Sequence, residues 1–109
     1  MRLLSHFVPA GTSVYETVDR AGRQQTRVAG GSSTTSLPLV VLVDSGTASM
    51  GEIFAAAVQD QGVATIIGST TEGNVAGGKM FPLADGSALQ VTVLEIQSSA
   101  GKRLCRCTH

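Results

Sequence analysis

The stretch from Pro38 to Phe54, PLVVLVDSGTASMGEIF, constrains the fold of this chain more than any other. The apolar residues Leu39 to Val43 stop abruptly in small and polar ones, and an amphipathic pattern then begins. A continuous apolar, β-branched run predicts a strand covered on both faces. Ile53, Ala56, Ala57 and Val58 recur at helical spacing, which predicts a helix opening near Ser49. Gly62 is placed to end that helix. Ala64 to Ile67, closed by Gly68, reads as a second buried strand. Strand, helix and strand in this order predict a right-handed crossover between parallel strands. The expected fold class is therefore α/β.

Outside this unit the chain reads as hairpins and turns. Leu3 to Val8 is a short apolar piece, the end of a helix or of a strand. Pro9-Ala10-Gly11-Thr12 is a turn signal. Ser13 to Val18 alternates as a half-exposed strand, with Asp19-Arg20-Ala21-Gly22 as a turn and Gln24 to Val28 as the return. Ala29 to Ser36 and Gly73 to Gly78 read as exposed, glycine-rich loops. Lys79 to Leu83 and Ala88 to Ile96 are expected as strands joined through Asp85-Gly86. The hairpins are expected to extend the parallel sheet on either side. No repeat or linker divides the chain, and 109 residues suffice for one small domain or part of a larger one.

Composition excludes several function classes. Eight basic and eight acidic residues give a formal net charge of +0, which argues against a nucleic-acid binder or a binder of anionic membranes. No apolar run approaches the roughly 20 residues that span a bilayer. Met1-Arg2-Leu3-Leu4 does not open a signal peptide, because Ser5, His6 and Pro9 interrupt it. Cys105 and Cys107 stand too close for an easy disulfide, and no second Cys/His pair completes a zinc site. No metal or cofactor is expected.

Ser49 carries the functional question. Ser49-Met50-Gly51-Glu52 is a capping box, S-x-x-E before an apolar run, worth about 1 kcal/mol with no catalysis. A serine beside the free N–H groups of a helix start can also be a nucleophile, but the motif alone favours the cap. Both readings stand at this level. Asp44 is expected to bind N–H groups of the turn, and Asp85 to shape its own turn. Gly73 to Gly78 lacks the Gly-Lys-Ser/Thr ending of a phosphate loop and opens no helix. His6 and His109 read as surface residues.

Several linked segments together resemble one family. Gly46-Thr47-Ala48-Ser49-Met50-Gly51-Glu52-Ile53, Ala57 to Gly62, Ile67-Gly68 and Phe81 to Leu89 are similar, in order and spacing, to the tail-specific (C-terminal processing) serine peptidases. The resemblance runs roughly from Phe7 to Leu104 and implies part of a ClpP/crotonase-like core. It implies a serine-type peptidase acting on polypeptide substrates through an acyl-enzyme on Ser49. The Met50 N–H would be an oxyanion donor and Glu52 a supporting acid.

The same alignment of residues shows departures. The family's base lysine falls on Asn74, and the glutamine that follows it falls on Gly78. Lys79 is the nearest lysine and would need the loop rebuilt to reach Ser49. A branch similar to the tricorn core protease uses a histidine from elsewhere instead. The family's Asn-Pro-Gly-Gly turn and PDZ module have no counterpart here. Residues 1–104 are therefore expected to be a partial protease domain, with 105–109 a divergent tail. The family suggests a cell-envelope or extracytoplasmic setting. The alternatives are a non-catalytic peptide-binding or scaffold remnant of the fold, and an acyl-CoA enzyme of crotonase type, which the Phe81-to-Leu89 segment disfavours.

Overall fold

Leu39–Val43 (β3) and Ala64–Gly68 (β4) form a parallel pair, with Leu39 opposite Ala64 and Val43 opposite Gly68. The helix α1, Met50–Asp60, connects them. The computed structural model that shows this describes residues 2–31 and 34–104. A 3-10 turn, Leu4–His6, opens the chain, followed by β1 (Ser13–Asp19) and β2 (Gln24–Val28). After β4 come β5 (Ala76–Pro82) and β6 (Ala88–Ser98).

The hairpins do not extend the parallel pair. They join one another through β1 and β6 in a separate four-stranded sheet, ordered β2-β1-β6-β5. The expectation failed because hairpin pairing is local, whereas the β1–β6 pairing brings Tyr15 against Ser98 from opposite ends of the chain. Helix α1 packs against β4 and also against β1 and β6, so it touches both sheets.

Helix α1 forms where the periodicity placed it. Its buried stripe is Ile53, Ala57 and Val58, with Phe54 partly buried beside it. Gly62 ends it at φ 67°, with the Gly62 N–H on the Gln59 carbonyl and the Val63 N–H on the Val58 carbonyl. That bonding is a Schellman stop, and it needs the left-handed backbone that glycine adopts cheaply.

The core gathers Leu4, Val8, Val14, Ala29, Ala57 and Val58. Phe7 and Phe54 meet edge to face at 6.2 Å on its border. Leu39, Val41, Ala64 and Ile66 supply the inner face of the parallel pair. Each fully buried aliphatic chain contributes about 1.5–3 kcal/mol. The opposite face is bare: Leu42 is 76% exposed and Ile67 52%. The expectation of a strand covered on both faces is thus met on one face only, because no described element lies over the other.

A second correction concerns Gly77 and Gly78, read from sequence as loop. Both lie within β5. A Cβ on Gly77 would come 2.9 Å from the Leu94 Cβ, and one on Gly78 would come 2.9 Å from Gln90 Nε2. Close cross-strand approach, rather than a turn, is what glycine serves there.

Candidate active site

The end of β3 is shaped before the helix begins. Asp44 Oδ1 accepts the Gly46 N–H at 2.9 Å, and the Thr47 N–H donates to the Asp44 carbonyl at 3.0 Å. The Thr47 hydroxyl accepts the Asp44 N–H at 3.0 Å. Asp44 therefore holds the turn, as its position after an apolar run suggested. Gly68 brings β4 against this point, and the Ser69 N–H donates to the Val43 carbonyl at 3.1 Å.

Ser49 follows at the helix start with φ 54° and ψ −119°. It is the one non-glycine residue with positive φ among those described. A serine held there costs of order 1–3 kcal/mol, and such strain clusters at functional sites. A sharp, strained strand-to-helix turn of this kind lifts a serine hydroxyl out of the backbone. Ser49 is exposed. Ser49 and Glu52 occupy capping-box positions, but the well-formed bond runs from the Ser49 N–H to Glu52 Oε2 at 3.1 Å. The Glu52 N–H donates to the Ser49 carbonyl at 3.1 Å and also faces the Ser49 side chain, which completes the capping box without a full side-chain cap hydrogen bond.

The neighbouring N–H groups divide unequally. The Gly51 N–H goes to the Ala48 carbonyl, and the Ile53 N–H to the Ser49 carbonyl. The Met50 N–H makes no hydrogen bond among the described residues. A free N–H in the first turn, at the positive end of the helix dipole, is suited to a developing oxyanion.

Glu52 ties this helix start to the loop before β5. It is 5% exposed. Its Oε1 accepts the Thr71 hydroxyl and the Gly73 N–H, both at 2.6 Å. Its Oε2 accepts the Ser49 and Asn74 N–H groups, both at 3.1 Å. Four donors on one buried carboxylate fill its lone pairs and leave it no free acceptor for a substrate proton. Asn74 returns the connection, because its carbonyl also accepts the Ser49 N–H at 3.1 Å. Val75, the next residue, is fully buried.

The structure thus brings together Ser49, Met50, Glu52 and Asn74. Thr71 completes the group and was not anticipated, because a hydroxyl so far along the chain from Glu52 carries no local signal. Lys79 is not part of it: its Nζ sits 5.3 Å from the centre of the Phe81 ring, on β5. Gly78 also lies in β5. His6 is exposed in the 3-10 turn, as expected of a surface histidine. Asp85 accepts the Ser87 N–H and hydroxyl at the β5–β6 turn, and the hydroxyl bond chiefly lowers its pKa below 3.8. Cys105, Cys107 and His109 lie outside the described residues.

Comparison with known proteins shows the family. The profile of peptidase family S41 matches residues 1–106. The chain belongs to peptidase family S41. A carboxyl-terminal-processing protease of Synechocystis is 44% identical over 92 residues, covering 84% of this chain and 21% of that protein. A chloroplastic carboxyl-terminal-processing peptidase of Arabidopsis thaliana is 43% identical, covering 80% of this chain and 17% of that protein. Among solved structures, a photosystem II D1 C-terminal processing protease superposes with a TM-score of 0.84 at 34% identity, over 94% of this chain and 27% of its own. The resemblance carried by Gly46 to Leu89 is therefore that of an S41 member, in an α/β fold. The chain spans about a fifth of the length of the curated relatives it matches.

Proposed function

We propose that this S41 segment carries the nucleophile of a serine-type peptidase, with Ser49 attacking the scissile carbonyl of a polypeptide. The bond formed is between Ser49 Oγ and the carbonyl carbon, and the carbonyl oxygen becomes an oxyanion facing the Met50 N–H. Collapse expels the amine and leaves an acyl-Ser49, which water then hydrolyses. Glu52 acts as a positioning residue, since it holds Ser49, Gly73 and Asn74 in one frame through their N–H groups. The strained backbone of Ser49 is the observation that carries this reading.

The proton on Ser49 Oγ needs an acceptor, and the amide of Asn74 is not one. Turnover therefore requires a base from elsewhere, and this segment alone keeps the geometry more than the reaction. Asn74 also favours a second reading, in which the segment holds a peptide without cleaving it. Hydrolysis of an unstructured polypeptide that is lost in Ser49→Ala supports the peptidase. A fluorophosphonate that never modifies Ser49 in the intact protein removes it and leaves the second reading.

A further inference from the structure

We infer that the uncovered half of β6 is a self-pairing edge, where residues 88–92 of two copies of this chain meet antiparallel about a two-fold axis at Gln90 and form a symmetric dimer. Strand β6 is flanked unequally along its length. On one side β5 pairs with it from Ala88 to Glu95. On the other side β1 covers only Leu94 to Ser98, and the chain turns away toward β2 at Asp19, opposite Leu94. Residues 88–93 have no partner on that side among the described residues, and all of them are exposed.

The hairpin fixes which groups face the open side. The Leu83 N–H donates to the Ser87 carbonyl at 2.8 Å. Phe81 with Leu89 and Lys79 with Val91 follow at two-residue steps. Alternate pairs of an antiparallel ladder exchange hydrogen bonds. Leu89 and Val91 therefore direct their backbone groups to β5, and Ala88, Gln90 and Thr92 direct theirs to the open side. Thr92 pairs with Gly78 and Leu94 with Gly77, so Val93 is a bulge that ends this regular stretch.

Nothing in the sequence defends the open side. Edges that avoid pairing carry charges, proline or bulges. Strand β5 has Lys79 and Pro82, and β2 has Arg27. Ala88-Leu89-Gln90-Val91-Thr92 has none of these, and its alternation matches itself. With Gln90 opposite the partner's Gln90, Ala88 falls opposite the partner's Thr92, and all the outward backbone groups are bonded. Leu89 then falls opposite the partner's Val91, on one face. Leu89, Val91 and the adjoining Phe81 are 54%, 39% and 40% exposed, so the pairing joins two apolar patches into one strip.

Charge favours a second copy over an unrelated strand. In this register the partner's Gly86 comes level with Leu94, which pairs with Asp19. The partner's Asp85-Gly86 turn and the Asp19-Arg20 turn therefore lie end to end, twice in the dimer. Asp85 is anionic at neutral pH, since the Ser87 hydroxyl lowers its pKa. Neither Arg20 nor Asp85 is in an ion pair among the described residues, whereas Arg23 is bound to Asp19. The two-fold axis brings the free cation toward the free anion. So short an edge suits a weak dimer, with a dissociation constant on the order of 10 μM. It lies toward the end of the hairpin farther from Asn74 and is independent of any chemistry at Ser49.

The test is sedimentation of the full chain over concentrations that bracket this value. Gln90 is exposed, so its substitution leaves the core untouched. Gln90→Lys and Gln90→Glu each set like charges across the axis and are expected to weaken the dimer about fivefold or more. Mixing the two variants sets opposite charges there and is expected to restore pairing, with one copy of each in the dimer. Arg20→Glu is expected to weaken the dimer about threefold or more by facing the partner's Asp85. Amide exchange at Ala88, Gln90 and Thr92 should slow about tenfold or more as the dimer saturates, while Leu89 and Val91, already bonded to β5, change little. The inference is overturned by a chain that stays monomeric, by a dimer as tight in Gln90→Lys or Arg20→Glu, or by a mixture no tighter than either Gln90 variant alone. Concentration-dependent protection at Gly78 and Met80, or at Val40 and Leu42, in place of Gln90 also overturns it and assigns the contact to β5 or β3.

Discussion

The Ser49 N–H donates to the Asn74 carbonyl oxygen at 3.1 Å, so the backbone of position 74 is tied to the strained serine whatever side chain it carries. Glu52 reinforces the tie by accepting the Asn74 N–H. In the proposed peptidase this tie would hold position 74, where the resemblance places the base, against the serine. A lysine placed there tests whether an amine at this position reaches Ser49, as a general base requires.

Asn74→Lys is accordingly expected to raise the rate at which a fluorophosphonate modifies Ser49, by about 10²-fold or more if the amine serves as general base. The rate should climb with pH as the lysine loses its proton. Lys79→Ala is expected to leave the rate unchanged, because Lys79 lies over the Phe81 ring on β5. An Asn74→Lys rate equal to that of the unsubstituted chain would show that the tie at position 74 does not orient a side chain toward Ser49.

Strain at Ser49 predicts an unusual order of stabilities. Ser49→Ala removes the hydroxyl but keeps a Cβ at φ 54°. Ser49→Gly removes the hydroxyl and the strain together. The glycine variant should be the more stable of the two by about 1 kcal/mol, less the few tenths lost by greater chain freedom. Urea unfolding of the two variants checks this. Equal stabilities would mean the elbow is not strained in solution.

Glu52 makes a sharper case. Glu52→Gln keeps the shape but exchanges one acceptor oxygen for an NH2 group. Each Glu52 oxygen faces two donors, the Thr71 hydroxyl and Gly73 N–H on one and the Ser49 and Asn74 N–H groups on the other. Either orientation of the amide sets donor against donor in a buried place, at a cost of about 3 kcal/mol. Amide exchange at Ser49, Gly73 and Asn74 should accelerate together. A loss of stability without change at those amides would place the role of Glu52 elsewhere.

How much of this was legible in the sequence depended on distance along the chain. The β3–α1–β4 unit could be read because its signals are local: an unbroken apolar run, a helical stripe and Gly62 after it. That Ser49, Met50 and Glu52 lie together could be read because they fall within one helical turn, and Asn74 beside them only through the spacing that the resemblance implies. The separate antiparallel sheet could not, since the pairing of Tyr15 with Ser98 leaves no periodic trace in either strand. Gly77 and Gly78 misled because glycine marks a close approach within a strand as readily as a loop. Thr71 and the backbone strain of Ser49 emerge only when the loop closes on the helix.

Two glycines of the βαβ unit separate two kinds of constraint. Gly62 has φ 67° and nothing within 4 Å of a built Cβ, so Gly62→Ala meets only the left-handed backbone penalty, about 1 kcal/mol. Gly68 has φ 139°, and a Cβ there would fall 1.8 Å from the Val43 carbonyl oxygen. That clash is with backbone and cannot be relieved by a side-chain rotation. Gly68→Ala must therefore part β3 from β4 where Gly68 pairs with Val43, and it displaces the turn that leads to Ser49. The expected cost is about 4 kcal/mol or more, in the range reserved for severe steric lesions. Thermal unfolding should rank Gly68→Ala far below Gly62→Ala, and fluorophosphonate labelling of Ser49 in an otherwise reactive Asn74→Lys background should fall only with Gly68→Ala. A Gly68→Ala chain as stable as Gly62→Ala would mean that the parallel strands do not close as tightly as the Val43–Gly68 contact requires.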